Sequence, residues 1–417
     1  MSDTADHVIV VGAGIIGMAC AHYLSAAGFN VTLIDKGDPG QACSQSNCGY
    51  ICPSHVLPLN SMGSLKKGMR SLLNPAAPFR LKLQWRAGLY RWLYEFARRC
   101  GEREMIAAGN QLQPLLASSR AAYQQLMSTD DFDCGWRESG LLYVFQSVEG
   151  FDDYAQEDQL LADHYGVSAD RIPGDELPTL DPALRANLAG AFLYRDDAML
   201  NPDQLVRQWP ARLAERGVRL VSNCSLNHVR RERAHIVGIE TTQGTMTADH
   251  YVFALGAWST QMAENIGCPI PIEPGKGYSV TMTQPEQCPS YPMLFLEHGI
   301  GMTPLDDGYR LGSMMEFVGY DSSIPAHRIA QLGEAAAHYL NTPTGQESRA
   351  TWFGWRPMTW DSLPIIGRVP GADNALLATG HNMLGLTLAP ATGQLITEMI
   401  QEQPTHIDAT AFAPSRF

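Results

Sequence analysis

The N-terminal thirty-five residues carry a pattern that few folds accommodate. His7–Val11 (HVIVV) is a run rich in β-branched residues, as a buried strand requires. Gly12, Gly14 and Gly17 follow in G-x-G-x-x-G spacing, and Ala19, Ala21, Tyr23 and Leu24 continue at helical positions up to Gly28. Val31–Ile34 reads as a second strand with Asp35 at its tip. Strand, glycine turn, helix, strand and acid make a parallel βαβ unit. Gly12 allows a tight turn, Gly14 lets the backbone approach a pyrophosphate, and Gly17 lets helix and strand pack closely. The free N–H groups and dipole of the helix N-terminus favour an anion there. Asp35 is placed to accept bonds from ribose hydroxyls, and an acid at that position disfavours a 2′-phosphate. The unit predicts a bound dinucleotide but does not separate NAD from FAD.

With 417 residues the chain is long for one domain, and two, interleaved or not, are expected. An apolar fraction of 45% supplies ample core, and a net charge of -13 argues against general nucleic-acid binding. There is no run of about 18 uncharged apolar residues. The start, MSDTADHVIV, is acidic where a signal peptide is basic, so a cytoplasmic protein is expected. Of the nine cysteines only Cys43, Cys48 and Cys52 cluster, at a spacing that matches no zinc knuckle. Reduced thiols, with neither disulfide nor metal, are expected.

Two later segments bear on the dinucleotide. KGDPGQACSQSNCGYICPSH, from Lys36, is a loop of small and polar residues whose backbone can lie against a flat ring. In ALLATGHNMLGLTLAPATGQLITEMI, Leu376–Ala378 reads as a strand, Gly380–Gly385 as a turn, and the remainder through Ile400 as a helix. Its N-terminus is suited to the pyrimidine edge of a flavin, where reduction places negative charge.

Together with YVFALGAWS at 251–259 and WFGWRPMTWDSLPIIGR at 352–368, these segments occur in an order that resembles the D-amino-acid oxidase/dehydrogenase superfamily of FAD enzymes. The nearest kinds are the bacterial D-amino-acid dehydrogenases of small-subunit type, D-hydroxyproline dehydrogenase included, and glycine oxidase. The resemblance spans almost the whole chain. It implies FAD, held by Gly12, Gly14, Ile15, Gly17, Asp35, Lys36, Ser44, Ser46, Asn47, Cys48 and Gly49, by Gly256 and Trp258, and by Gly380, His381, Leu384, Gly385 and Thr387. The implied fold is α/β. A Rossmann-type FAD-binding domain takes 1–60, 197–262 and 350–417. A discontinuous α+β substrate domain, on a mostly antiparallel sheet, takes 61–196 and 263–349, with a helical basic segment at 61–130.

Oxidation of an amine by a flavin asks for a neutral amine whose α-hydrogen sits over N5, so that hydride can leave the α-carbon. Most of the work is positioning and desolvation. Arg356 is flanked in sequence by Trp352, Phe353, Trp355 and Trp360, and a guanidinium in apolar company needs an anion. The resemblance implies that this anion is the substrate carboxylate, held bidentately; from the residues alone a structural salt bridge also fits. Tyr278 can bond the carboxylate, line the pocket or pack in the core. His55 can face the amine or be structural, and His381 is expected nearer the cofactor. Glycine oxidase has a second arginine in the turn where this chain has Met383, which leaves a more apolar pocket.

The expected activity is oxidative deamination of a D-amino acid, cyclic ones such as D-proline or D-hydroxyproline included. Electrons would pass to a quinone or other carrier. A glycine or sarcosine oxidase and a non-catalytic flavin subunit of an electron-transfer complex are the alternatives. Residues 64–104 carry Lys66, Lys67, Arg70, Arg80, Lys82, Arg86, Arg91, Arg98, Arg99 and Arg103 against three glutamates. This stretch reads as solvated helix faces, or as a surface docking on anionic lipid or an acceptor, which would make the protein peripheral at the inner face of the cell membrane.

Overall fold

Strand His7–Val11 is buried on both faces, which is why its sequence is continuously apolar rather than alternating. Val8 and Val10 join the core formed with helices Ile15–Ala26 and Gly385–Ile400. Ile9 and Val11 join the core under the three-stranded meander Leu226–Glu232, His235–Thr241 and Gly244–Met246. The computed structural model describes residues 5–58, 77, 79–82 and 84–417.

The first sheet runs in the order Ile365–Arg368, Ala375–Thr379, His250–Phe253, His7–Val11, Asn30–Ile34, Arg219–Val221. All neighbours are parallel except the first pair. This is a Rossmann-type sheet, and its C-terminal strand ends face one cleft. Helix Pro202–Glu215, whose N-terminus is capped by the Asn201 side chain, leads into the edge strand.

Helix Gly385–Ile400 packs close to helix Ile15–Ala26 because Gly393 has no side chain: a Cβ there would stand 2.7 Å from the Ala19 carbonyl oxygen. The same helix contains Pro390, which cannot donate to the Leu386 carbonyl. The missing donor comes from helix Glu102–Thr129: Tyr123 Oη donates to Leu386 O at 2.7 Å, and Ser119 Oγ to Thr387 O at 2.6 Å. Positions 119 and 123 lie one helical turn apart, so a single face supplies both.

The second sheet runs Ser348–Thr359, Ile272–Met282, Gly308–Phe317, Ile300–Leu305, Met293–Phe295, Leu141–Phe145, Gly190–Tyr194, Asp170–Pro173. It is antiparallel except where Met293–Phe295 meets Leu141–Phe145 and where Phe79–Leu81 joins Gly308–Phe317. The predicted helical stretch 61–130 thus contains this short strand, followed by helices Ala87–Ala97 and Glu102–Thr129. Phe79–Leu81 takes up the edge that Ile300–Leu305 vacates beyond its pairing with Ser313. Lys66, Lys67 and Arg70 lie outside the described residues. Helix Ala326–Ala336 covers one face of this sheet through Leu332 and Ala336. The other face holds the loop after Asp35: Ser279 donates to Ser46 O at 2.7 Å, Arg310 to Asn47 O at 2.9 Å, and Thr303 to Cys48 O at 2.6 Å.

Tyr123→Phe should leave the buried Leu386 carbonyl without its donor and lower the unfolding free energy by about 1–3 kcal/mol. Pro390→Ala in that background restores an N–H and should recover part of the loss. A double-mutant cycle by denaturant unfolding checks it, and additive effects would mean that Tyr123 does not patch the proline gap.

Candidate active site

At the end of strand His7–Val11, Gly12 adopts φ +105°, and a Cβ there would lie 2.5 Å from Ala254 O. A Cβ on Gly17 would lie 1.8 Å from Gly12 O. Both glycines are demanded by packing. Gly14 differs: a Cβ there would meet only Ser44 Oγ, at 3.6 Å, and would otherwise project into the cleft. Ser44 Oγ accepts from Ile15 N at 2.9 Å, and the helix has no cap from its own N-cap residue and no acid in its first turn. Asp35 accepts from Ala13 N at 2.7 Å and from Gly37 N at 2.9 Å, tying the strand tip to the glycine turn. Lys36 Nζ lies 3.5 Å from the Trp258 ring centroid. With Gly256, at φ +54°, these residues line a cavity of about 250 Å³.

A second cavity, of about 220 Å³, continues from the first past Ile15, Cys43, Ser44 and Gly385. Its floor is the loop from Ser44 to Gly49. Asn47 folds this loop locally, accepting from Gly49 N at 2.8 Å and donating to Ser44 O at 3.0 Å. Gly49 is at φ +75°, and a Cβ there would stand 2.0 Å from Leu200 O. Ser46 Oγ bonds Asp203, which pairs with the buried Arg310. Thr387 Oγ1 bridges Cys52 N and Tyr50 O, each at 3.2 Å, and so ties the strand after the loop to helix Gly385–Ile400. That helix too has no side-chain cap and no acid in its first turn, with Leu384 as its N-cap residue. Its N–H groups are left for an anion.

The turn before it is anchored from both sides. Asn382, at φ +53°, accepts from Thr359 N at 2.9 Å and donates to Gly380 O at 3.0 Å. Buried His381 places Nε2 3.0 Å from Thr392 Oγ1, whose own hydrogen goes to Leu388 O at 2.8 Å. The hydroxyl is therefore the acceptor, and His381 is the neutral Nε2–H tautomer. Burial pushes its pKa down to about 3.

Arg356 projects from strand Ser348–Thr359 into the second cavity. Its Nη1 donates to Met314 O at 2.8 Å. No described carboxylate lies within 4.0 Å of its guanidinium, and burial lowers its pKa while the thiols of Cys43 and Cys48 oppose that shift. Two irregularities make room for it. A Cβ on Gly277 would stand 2.3 Å from Arg356 Nη1. Ser313 and Met314, at φ +139° and +62°, form a bulge opposite Tyr278 that brings the Met314 carbonyl to the guanidinium.

Register decides which predicted neighbours reach this site. Gly275, Gly277 and Ser279 pair with Arg356, Gly354 and Trp352, and share the cleft face. Lys276 and Tyr278 fall on the opposite face, where Tyr278 Oη donates to Glu316 at 2.6 Å and Glu316 pairs with Arg328 at 2.5 Å. The Tyr278 hydroxyl is thus turned away from Arg356, while the residue still contributes to the cavity lining. Of the aromatic residues near Arg356 in sequence, Trp352 lines the cavity. Phe353 packs edge-on to Trp355, and Trp360 packs against Phe417. His55 does line the cavity with Arg356, its ring edge 3.2 Å from Tyr143 Oη, and burial pushes its pKa down to about 4. The nine cysteines are free, and among the described residues no group of three His, Cys, Asp or Glu is placed to hold a metal ion.

The family profile described as FAD dependent oxidoreductase, DAO, matches residues 7–399. The chain belongs to the DAO family of FAD dependent oxidoreductases. Its fold is similar to that of glycine oxidase from Geobacillus kaustophilus, with TM-score 0.79 at 22% identity over 99% of this chain and 100% of that one. L-proline dehydrogenase from P. horikoshii gives TM-score 0.72 at 19% identity, covering 99% and 98%. L-amino acid deaminase from Proteus vulgaris, with its specific insertion sequence deleted, gives 0.74 at 17%, covering 99% and 94%.

The cofactor of this DAO-family oxidoreductase is FAD, and the cleft fits it. The open space over Gly14, two helix N-termini without an acid or a cap from their own N-cap residue, and a floor of loop backbone follow one another along a single channel. Sequence reasoning missed the residues that build this channel from the second sheet: Gly277, Ser279, Thr303, Arg310 and the bulge at Ser313–Met314. The spaced glycines of PGKGYSV were the one local signal for them.

Gly14→Val should fold with an unchanged melting temperature in the apo form yet retain less than about a tenth of the wild-type FAD after purification, a loss worth more than about 1.4 kcal/mol. Absorbance at the flavin band measures it. Full flavin occupancy would mean that the pyrophosphate does not pass over Gly14.

Proposed function

We propose that the protein is an FAD-dependent D-amino-acid dehydrogenase acting on a small, predominantly apolar substrate, with cyclic secondary amines such as D-proline or D-hydroxyproline among the candidates. The observation that carries this reading is a charged guanidinium inside a cavity, Arg356, without a carboxylate partner among the described residues. A buried cation in that state is costly, and a substrate carboxylate satisfies it. Bound FAD supplies the two-electron acceptor; the chain has to bind, orient and dry the amino acid. Arg356 fixes one end of the substrate. Met383, Leu294 and Trp352 give the cavity apolar walls. The solved neighbours named for glycine and for L-proline differ in substrate but share an α-carboxylate with this proposal. The preference for the D-enantiomer rests on the sequence motifs.

A carrier or quinone as acceptor is favoured by one surface. Trp85, Tyr90 and Tyr94 are exposed large aromatics, and Arg91, Arg98 and Lys82 are exposed near them in sequence. Arg80, Arg86 and Arg99 are drawn to Glu316, Glu273 and Glu95, and Arg98 shares Glu95 at 3.5 Å. Among the described residues no helix is long and apolar enough to cross a membrane. Basic residues mixed with aromatic ones suit the interface of an anionic bilayer, where a quinone is available.

Anaerobic mixing with a panel of D- and L-amino acids tests the reading: D-proline or a related D-amino acid should bleach the flavin fastest. Stoichiometric hydrogen peroxide in air would favour a glycine- or sarcosine-type oxidase. No bleaching by any amino acid would leave a non-catalytic flavin subunit.

Arg356→Ala should keep its FAD and lower kcat/KM by on the order of 10²-fold or more, because the α-carbon loses its position as well as its anchor. Arg356→Lys keeps charge without the fork and should raise KM. An amine of the same shape without a carboxylate gives the decisive comparison. Wild type should discriminate strongly against it and the Ala variant should not; equal discrimination would remove Arg356 from carboxylate recognition.

A further inference from the structure

Behind the cavity that holds Arg356 lies a buried carboxyl group that nothing above uses. Asp197 follows strand Gly190–Tyr194, and its side chain is 0% exposed. No described cation pairs with it; Arg120, a cation that acts on it, spends its fork on Glu138 and on the Asp196 carbonyl. Asp197 accepts from Ser54 N at 3.1 Å and from Ser54 Oγ at 2.6 Å. The Ser54 hydroxyl lies near enough to the hydroxyl of buried Tyr143 to act on it, without a hydrogen bond between the two, and Tyr143 Oη lies 3.2 Å from His55 Nε2 and 3.4 Å from Nδ1. His55 lines the cavity with Arg356. A ring and two hydroxyls therefore line the way from the substrate space to a carboxyl group, hydrogen-bonded at both ends, with the step from Tyr143 to Ser54 having to close for a proton to pass. Three segments supply them: Tyr143 comes from strand Leu141–Phe145, and Ser54 and Asp197 sit just outside the ribbon in which Ile51 pairs with Ala198.

We propose that His55, Tyr143, Ser54 and Asp197 form a proton relay that takes the ammonium proton of the bound amino acid and delivers it to Asp197. The proposal rests on the amino-acid-oxidising reading above. An amino acid arrives in neutral solution as its ammonium form, whereas oxidation needs the free amine. In the transfer, the substrate N–H bond breaks and an N–H bond forms at His55. His55 gives its other ring proton to Tyr143 Oη, Tyr143 gives its own to Ser54 Oγ, and Ser54 gives its own to Asp197 Oδ2. One proton moves in net, and no electrons do. Because Tyr143 reaches either ring nitrogen of His55, a proton received at one can be passed from the other.

The acid strengths run in the needed direction. Burial without a counter-charge pushes His55 down to about 4, so the ring passes a proton but does not keep it. Burial pushes Asp197 up to about 7, with Asp196 adding to the rise and the Ser54 bonds and Arg120 opposing it. Asp197 is then partly ionised near neutral pH and is the better resting place. The other groups facing Asp197 across the packing, Cys52 and Tyr143, are themselves raised by burial and stay neutral. Arg195 and Asp196, exposed beside it, offer the route by which the proton reaches water.

The test is stopped-flow flavin reduction of the FAD-loaded enzyme as a function of pH. In wild type the rate should rise through about pH 7 as Asp197 ionises. Asp197→Asn keeps an acceptor for Ser54 N, so it should retain FAD and a near-normal KM. Its rate at neutral pH should fall by on the order of 10²-fold, and its rise should move up toward the pKa of the free substrate amine. Ser54→Ala, which cuts the relay one step earlier, should give the same displaced profile and guards against misfolding of the first variant. A wild-type profile shape in both variants, whatever the absolute rate, would reduce Asp197 to a structural residue and overturn the relay while leaving the amino-acid reading intact. Absence of flavin reduction in wild type by every amino acid tried would overturn both.

Discussion

The guanidinium of Arg356 is the constraint around which the inner half of the cleft is arranged. A charge taken out of water has to be compensated by hydrogen bonds, by an opposite charge, or by a ligand that brings one. This protein supplies one carbonyl, that of Met314, and no described carboxylate. The rest of the local structure keeps that incomplete solvation in place. Gly277 leaves the volume the guanidinium fills, and a bulge with two residues at positive φ delivers the carbonyl. Such backbone costs about 1–3 kcal/mol per residue, and it persists where the surroundings over-determine it. Here the surroundings are the long pairing of Ile272–Met282 with Ser348–Thr359 on one side and with Gly308–Phe317 on the other.

That sheet is also joined to the nucleotide sheet by side chains rather than by a shared strand. Ser279, Thr303 and Arg310, from three strands, grip the carbonyls of Ser46, Cys48 and Asn47. From the other direction Thr387 grips Tyr50 and Cys52, and Asn382 grips Thr359. The loop from Ser44 to Gly49 is therefore clamped between the sheet bearing Arg356 and helix Gly385–Ile400. Any displacement of Arg356 relative to the cofactor would have to break several buried hydrogen bonds at once, which is the rigidity a positioning mechanism needs.

The legible and illegible parts of the sequence divide by the range of the interactions. Gly12, Gly14, Gly17 and Asp35 could be read because strand, turn and helix are consecutive and the steric reasons are local. The turn at 380–385 and the helix through Ile400 were legible for the same reason. The face occupied by Tyr278 was not. It depends on the register of Ile272–Met282 against a strand some eighty residues later, and a shift of one residue would have exchanged Tyr278 with Ser279. The aromatic fence around Arg356 failed similarly: Phe353 and Trp355 alternate away from Trp352 along a strand, and Trp360 leaves it altogether. Asp197 carried no signal at all, since a lone aspartate after a strand is an ordinary turn residue until Ser54 is folded against it.

The cleft as a whole has an unequal charge distribution, and that bears on the form in which a substrate can react. Asp35 and Lys36 lie at the dinucleotide end. In the inner cavity Arg356 is the one permanently charged residue among the described lining. His55 is held neutral, as is His381 in the adjoining compartment, and the thiols of Cys43, Cys48 and Cys52 are raised by burial. A fixed positive charge in a poorly solvated space attracts a carboxylate and disfavours an ammonium group bound beside it, lowering the pKa of the amine. On the proposed function, the residue that anchors the substrate would thus also press it to release a proton. A cavity with no anion on its wall has nowhere to keep that proton. A carboxyl group set one shell back, reached only through hydroxyls, takes it without placing a negative charge next to Arg356, where it would compete with the substrate for the guanidinium.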